Sequence, residues 1–482
     1  MKSSVKKNYF YNVLYTIVNM LLPLITAPYL ARVLGVNGVG QYAYAFSIAQ
    51  YFVLIAKLGL VNYGTREISK EKDKEKKSLI FSNLFYMQIL STIIVSMIYL
   101  FYIFALSGEQ KNISFIFFFW IFLSFFDIDW FWFGEEEFKK VSIRNIVIKI
   151  ISVVCVFIFV KKETDLLLYT FIMVMGYIIG YIFIWRGIKK YVTFSKIDFL
   201  IIKKHFIPCL IMLIPVLSLN IYRSMDKVML GAISGMSETG IYENGEKLIY
   251  CLSSLISSLG TVMMPKISYL VEKKDESKIQ DYIINSLKYM MILTSVMSFG
   301  LMAISDNVII FLFGNEFAKS SVVLFLCAPT LIFMGWSNVI RTQYIIPHKK
   351  DDIYIKSITF GCLINLFVNF LLIPKLSVSG AVIGTLIAEL SVPLYQFIRL
   401  KKELPFLKYI KAVYIYPIIG LVMLIVLKIV QKYIGISTLT MFIQIFLGGI
   451  IYIGLVIFYI IIFDKDLKKI ILDNVTRKGK RL

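Results

Sequence analysis

The sequence predicts an all-α integral membrane protein of about fourteen transmembrane helices, on three observations. Charged residues are only 17% of the 482, while 58% are apolar. A soluble domain carries about 25% charge, so this chain could not cover a water-facing surface. Apolar runs long enough to cross a hydrocarbon core, about 20 residues as a helix, recur from end to end. Lys and Arg collect in the gaps between those runs, alternately dense and sparse.

The runs span 8–32, 40–64, 79–106, 113–133, 142–160, 165–186, 205–226, 238–263, 285–305, 319–345, 353–374, 377–399, 411–430 and 438–463. Only helices or closed barrels satisfy the backbone in lipid, and these runs are too long and unalternating for barrel strands. The connections are short, and no soluble domain interrupts them. With both termini cytoplasmic, the inner segments hold 40 Lys+Arg and the outer side 10, with Lys57 and Lys247 left inside helices. Cytoplasmic loops are the basic ones, so this bias supports both the orientation and the count. One missed helix would put the later basic loops on the wrong side. The inner loops 187–204 and 264–284 mix apolar and basic residues and read as lying at the membrane surface.

The formal charge of +22 is therefore a topology signal and not a footprint for nucleic acid. The five cysteines lie in or beside apolar segments without a CxxC pair, and His205 and His348 fall near basic loops, so no metal site is expected. A P-loop, a GxSxG elbow and an HExxH helix are absent. No catalytic residue and no cofactor is expected, and the chain does not read as an enzyme.

The two halves look related. Leu34-Gly35 with Gly40-Gln41-Tyr42 is echoed by Leu230-Gly231 with Gly240-Ile241-Tyr242. The helix before each turn carries two prolines, Pro23 and Pro28 in one, Pro208 and Pro215 in the other. Interrupted helices at corresponding positions of two halves point to a transporter's central site.

Ionisable side chains inside a membrane helix cost about 3 kcal/mol each at the centre on insertion scales, so each needs a partner or a wet cavity. Lys57 has no acidic neighbour within a turn of its own helix, which makes it the leading cavity candidate. Asp127 and Asp129 lie among tryptophans near the cytoplasmic end and read as interfacial anchors as readily as functional groups. Arg223 and Asp226 are three apart, and Glu243 and Lys247 four apart, so each pair can close on one helix face. Lys227 and Glu246 complete this charged group. Polar stripes add Asn12, Thr16, Asn19 and Thr26 in the first run, Tyr250, Ser254 and Ser257 in the eighth, and Asn365 with Asn369 in the eleventh. Such groups either bond helix to helix or line a cavity. The candidate substrate-binding residues are therefore Lys57, Arg223, Lys247, Asp226, Glu243, Asn19, Asn365 and Asn369.

The chain resembles the polysaccharide repeat-unit flippases (the Wzx type) of the multidrug/oligosaccharidyl-lipid/polysaccharide exporter superfamily. The resemblance covers nearly the whole length. It rests on Ala31-Arg32-Val33-Leu34-Gly35 with Gly38, Gly40 and Tyr42, on Asp127 through Gly134, and on Asp226-Lys227-Val228-Met229-Leu230-Gly231. Val262 through Ile267, Phe313-Gly314-Asn315-Glu316-Phe317, Gln343 through Lys350, and Ile373-Pro374 with Gly380 through Thr385 continue it. No single motif is diagnostic; the ordered set is specific. The resemblance implies two pseudo-symmetric six-helix lobes around a central cavity, 1–204 and 205–404, with helices 13 and 14 and a basic tail in 405–482. It implies a polyprenyl-diphosphate-linked oligosaccharide, an O-antigen or capsule repeat unit, carried to the outer leaflet of the bacterial cytoplasmic membrane. Membrane lipids, a polysaccharide polymerase and chain-length proteins are its implied partners. Related lipid-linked peptidoglycan-precursor flippases hold the diphosphate with cavity arginines. Here Lys57, in Ala56-Lys57-Leu58-Gly59, stands at the comparable place, and Thr26 lies near that of a first-helix arginine.

Two rivals remain. A cation-coupled drug antiporter of the same superfamily calls for an acidic cavity, and Lys57, Arg223 and Lys247 oppose Asp226, Glu243 and Glu246 without an acidic surplus. A membrane polysaccharide polymerase calls for a long outer loop, and the longest outer gap is about 15 residues.

Overall fold

The computed structural model describes the backbone of residues 2–464 and 468, and their side chains except those of 2–17, 19, 20, 259, 261 and 262. Among the described residues the regular structure is helical, without a strand. Among the described residues thirteen helical stretches are long and apolar enough to cross a membrane. The first, Leu21–Lys70, runs 50 residues, about 75 Å of helix against a core of about 30 Å, so it crosses twice. The turn between the two crossings is at Gly35, whose φ of 65° and ψ of 179° break the helix. The described residues thus make fourteen crossings, and the chain is a multi-pass integral membrane protein. Its surface agrees: Phe101, Phe370 and Phe446 are 76, 68 and 74% exposed, while serines, threonines and amides fill the interior. In lipid this inversion costs nothing, because hydrocarbon solvates the apolar side chains and the polar groups find partners inside.

The described chain separates into two compact units, Met1–Glu243 and Asn244–Leu482. In the first, α1 (Lys2–Ala56) is followed by α2 (Leu60–Lys70), α3 (Lys74–Phe104), α4 (Gly108–Phe122), α5 (Asp129–Gly134), α6 (Phe138–Phe159), α7 (Leu166–Ile184) and α8 (Phe199–Ile233). Helix α9 (Met236–Glu272) begins in this unit. The seventh crossing, α8, packs on α1, α2 and α3. Gly59 permits this approach: a Cβ there would lie 2.7 Å from the Cys209 carbonyl oxygen and from Leu213 N. The two copies of the repeated turn also meet. A Cβ on Gly40 would overlap the Met236 carbonyl and sit 2.8 Å from Gly240 N; one on Gly240 would overlap the Val36 carbonyl and sit 3.1 Å from Gly40 N. Each glycine thus receives the carbonyl four residues before the other, a reciprocal contact of the kind a two-fold relation produces.

The second unit contains most of α9, then α10 (Glu276–Phe313), α11 (Ser320–Cys327), α12 (Thr330–Ile340), α13 (Asp351–Leu376), α14 (Val378–Leu400), α15 (Phe406–Val413), α16 (Ile415–Ile434) and α17 (Thr438–Ile462). Buried polar pairs hold its core: Asn307 Nδ2 donates to Gln444 Oε1 at 2.7 Å, and Lys288 meets Asp464 at 2.6 Å. At one end Glu403 takes Tyr344 OH at 2.6 Å and the Lys350 ammonium. Those donors, Lys350 first, hold the Glu403 carboxyl below its usual range. A depressed carboxylate contributes stability above its unfolded pKa and loses it as pH falls through the folded one, so this tie weakens in acid.

Candidate functional site

Two helices of the first unit break inside the membrane, and their breaks face each other. In the second crossing Lys57, Leu58 and Gly59 separate α1 from α2, with φ of 50° at Leu58 and 72° at Gly59. In the fourth, α4 stops at Phe122, a 3₁₀ turn covers Leu123–Phe126, and Asp127 is extended before α5 starts. Asp127 Oδ1 accepts from the first N–H of that new helix, Asp129 N, at 3.0 Å. The carbonyls freed by the break need donors, since lipid offers none. Gln88 Nε2 on α3 donates to Ser124 O at 3.1 Å and to Asp127 O at 3.0 Å, and Trp185 Nε1 donates to Phe126 O at 2.8 Å. Trp130 Nε1 in turn fixes Gln88 through its Oε1 at 3.0 Å.

The charges at these breaks form one network. Lys57 Nζ is ion-paired with Asp127 Oδ2, the side chains 17% and 8% exposed. Arg144 on α6 pairs with Asp129 Oδ2 at 2.7 Å and also donates to Gly180 O at 3.2 Å. The Tyr181 ring lies 5.2 Å from Lys57 Nζ, and its hydroxyl accepts from Trp120 Nε1 at 3.0 Å. Two cations and two carboxylates leave the group formally neutral. The expectation of a lone Lys57 is corrected: its acid lies 70 positions away on another helix, beyond the reach of any same-helix spacing. Asp127 and Asp129 are likewise not interfacial anchors but members of this interior network. Arg144 and Tyr181 were missed. Arg144 was counted with the basic residues of the inner side, although it lies inside the apolar run 142–160, and that position was the signal that could have found it.

At the seventh and eighth crossings the pairing also goes between helices. Asp226, 2% exposed, accepts from Tyr242 OH at 2.8 Å, while Arg223 three residues earlier is exposed. Glu243 is met by Lys227 at 2.6 Å. Asp226 and Glu243 thus each take a partner from the neighbouring helix, Tyr242 and Lys227, because α8 and the start of α9 lie close together. Lys247 Nζ reaches Asn244 Oδ1 at 3.4 Å. In the second unit Asn369 Nδ2 donates to Asn365 Oδ1 at 3.2 Å, and both amides pack over Gly384 of α14. These two asparagines are buried where α13 packs on α14, with exposures of 1% and 0%. In the first crossing Thr26 bonds back to Leu22 O at 3.0 Å. Asn19, like Asn12 and Thr16, lies outside the described side chains.

A family model described as "Polysaccharide biosynthesis protein" matches residues 5–271, more than half of the chain. The chain belongs to that family. Among its curated relatives is the "Putative O-antigen transporter" of Escherichia coli (strain K12), 24% identical over 418 residues, which cover 84% of this chain and 99% of the relative. The fold of this family member is also that of known transporters. It superposes on a structure titled "Lipid II flippase MurJ, inward closed conformation" with a TM-score of 0.69, at 19% identity over 93% of this chain and 99% of that one. An inward-facing multidrug resistance MATE family transporter gives a TM-score of 0.61 at 14% identity, over 82% and 99%. Identities this low speak for the fold and not for the substrate.

Proposed function

We propose that the protein is a flippase that carries a polyprenyl-diphosphate-linked oligosaccharide from the cytoplasmic to the outer leaflet for surface polysaccharide synthesis. The observation that carries this reading is the family match over residues 5–271, seconded by a relative named as an O-antigen transporter and matched over 99% of its length. The flippase fold is compatible with it. The drug-antiporter reading draws on fold alone, and the interior of the first unit speaks against it: Lys57 and Arg144 offset Asp127 and Asp129, so that network offers no acidic surplus to a cationic drug.

The load explains the chemistry. A diphosphate needs cations, sugars need polar walls, and a polyprenyl tail needs a lateral opening to lipid. In this reading Lys57 exchanges Asp127 for the diphosphate, as a point charge without arginine's bidentate fork. Arg223 and Lys247 are the further candidate cations, Asp226 and Glu243 set their surroundings, and Asn19 is a candidate sugar-facing amide, while Asn365 and Asn369, buried against α14, would reach a sugar only if those helices part. The working division stays at 1–204 and 205–404 for the two lobes, with 405–482 appended. A polymerase and chain-length proteins would act on the delivered unit.

The test is complementation. A strain lacking its own repeat-unit flippase, but able to make the matching lipid-linked unit, should regain surface polysaccharide when it expresses this chain. Accumulation of the unit in the inner leaflet despite normal membrane levels of the protein would overturn the reading. The bacterial cytoplasmic membrane is the proposed location, with both termini inside. Single cysteines beside Lys111 and Lys375 should react with an impermeant thiol reagent in intact cells, and one beside Lys74 should not. Labelling at Lys74 would reverse the orientation.

A further inference from the structure

The connection from α7 to α8 is unusual. After a 3₁₀ turn at Ile188–Lys190 the chain runs without regular structure to Asp198 and is strapped along α3 by side chains of that helix. Thr193 N donates to Ser78 Oγ at 3.0 Å, Ser195 N to Ser82 Oγ at 2.8 Å, and Asp198 N to Asn83 Oδ1 at 2.8 Å. The Phe194 ring adds contacts to Phe81 and Phe85 at 5.9 Å between centroids. A loop tied at three points does not wander, so the side chains it presents outward form a fixed surface.

That surface is both greasy and strongly basic. Phe194, Ile197, Phe199 and Leu200 are 56, 47, 76 and 79% exposed. Between and beside them Arg186, Lys189, Lys190, Lys196, Lys203 and Lys204 are all exposed. The acid of the segment, Asp198, is spent on capping α8, its Oδ1 accepting from Leu200 N at 2.9 Å and Ile201 N at 3.4 Å. A surface that keeps six cations against a single engaged carboxylate calls for an anionic partner, and its apolar side chains call for one with hydrocarbon attached.

We propose that the strap of residues 186–204 is a docking surface for anionic phospholipids of the leaflet it faces, with headgroups against the lysines and acyl chains against Phe194, Ile197, Phe199 and Leu200. Charge complementarity selects this occupant. Basic residues at a membrane surface attract anionic lipid, the attraction is screened by salt, and exposed apolar groups sink into the headgroup boundary. The three ties to α3 keep the lysines aimed at the headgroups while the rest of the protein moves.

The test is hydrogen exchange of the strap amides in the full chain reconstituted into bilayers. Bilayers of phosphatidylcholine alone are compared with bilayers in which part is replaced by phosphatidylglycerol. Exchange across 192–204 should slow by about tenfold with phosphatidylglycerol at low salt and return toward the phosphatidylcholine rate at high salt. Replacing Lys189, Lys190, Lys196, Lys203 and Lys204 with Gln should abolish this dependence but leave the rate in phosphatidylcholine unchanged, which shows that the strap is still tied to α3. Replacing the same five with Arg should preserve it. Equal rates in the two bilayers, or a lipid dependence that survives the Gln variant, would overturn the proposal. A third arm uses phosphatidylcholine doped with undecaprenyl diphosphate at matched charge. Protection stronger than that given by phosphatidylglycerol would assign the surface to diphosphate lipids and also overturn it.

Discussion

Lys57→Met is expected to lose polysaccharide export and to lower the amount of protein in the membrane. Both effects follow from the ion pair with Asp127, whose side chain is 8% exposed. Removing one partner of a buried pair costs about 3–5 kcal/mol, because a charge is left without compensation. Against a total stability of about 5–15 kcal/mol, that is enough to reduce the folded population. Adding Asp127→Asn removes the stranded charge and keeps an acceptor for Asp129 N, which Asp127 Oδ1 now takes at 3.0 Å. Lys57→Met with Asp127→Asn should therefore recover membrane abundance. If Lys57 also meets the diphosphate, export stays lost in that double variant, and Lys57→Arg retains part of it. Surface polysaccharide and membrane abundance, measured side by side, separate the two roles. Full export by the double variant would make Lys57 a structural residue only.

The second large effect is expected at two glycines. Gly→Ala in an exposed helix normally gains about 1 kcal/mol. At Gly40 and Gly240 the sign should reverse, because the new methyl would meet the backbone of the other helix, the Met236 and Val36 carbonyls respectively. Backbone cannot swing away as a side chain can, and overpacking costs about 1–3 kcal/mol or more. Gly40→Ala and Gly240→Ala should each lower the melting temperature of purified protein and sharply reduce export. Gly449→Ala and Gly454→Ala serve as controls, since a Cβ at either meets nothing within 4 Å. Normal melting and export in both Gly40→Ala and Gly240→Ala would show that the two helix segments do not approach as described.

Much of this protein was legible in its sequence, for a physical reason. Lipid demands long apolar helices and puts the basic loops on one side, so composition and periodicity are read directly by the solvent. The spans near 8–463 and the 40-to-10 distribution of Lys and Arg are consequences of that demand and need no tertiary information. The paired glycine turns were visible too, as Gly40-Gln41-Tyr42 and Gly240-Ile241-Tyr242, although not that they touch.

Buried charge is different. Spacing of three or four tells which side chains share a helix face, and on that rule Lys57 stood alone, while Asp226 and Glu243 were given partners on their own helices. Tertiary structure added partners that this rule does not reach. It brought Asp127 to Lys57, Arg144 to Asp129, Lys227 to Glu243 and Tyr242 to Asp226. A charge in a low-dielectric interior is stabilised by whatever opposite charge lies within a few ångströms, and sequence separation does not enter that energy. Only the packing of the helices, with breaks at Lys57–Gly59 and Leu123–Ile128 placed face to face, determines which groups those are.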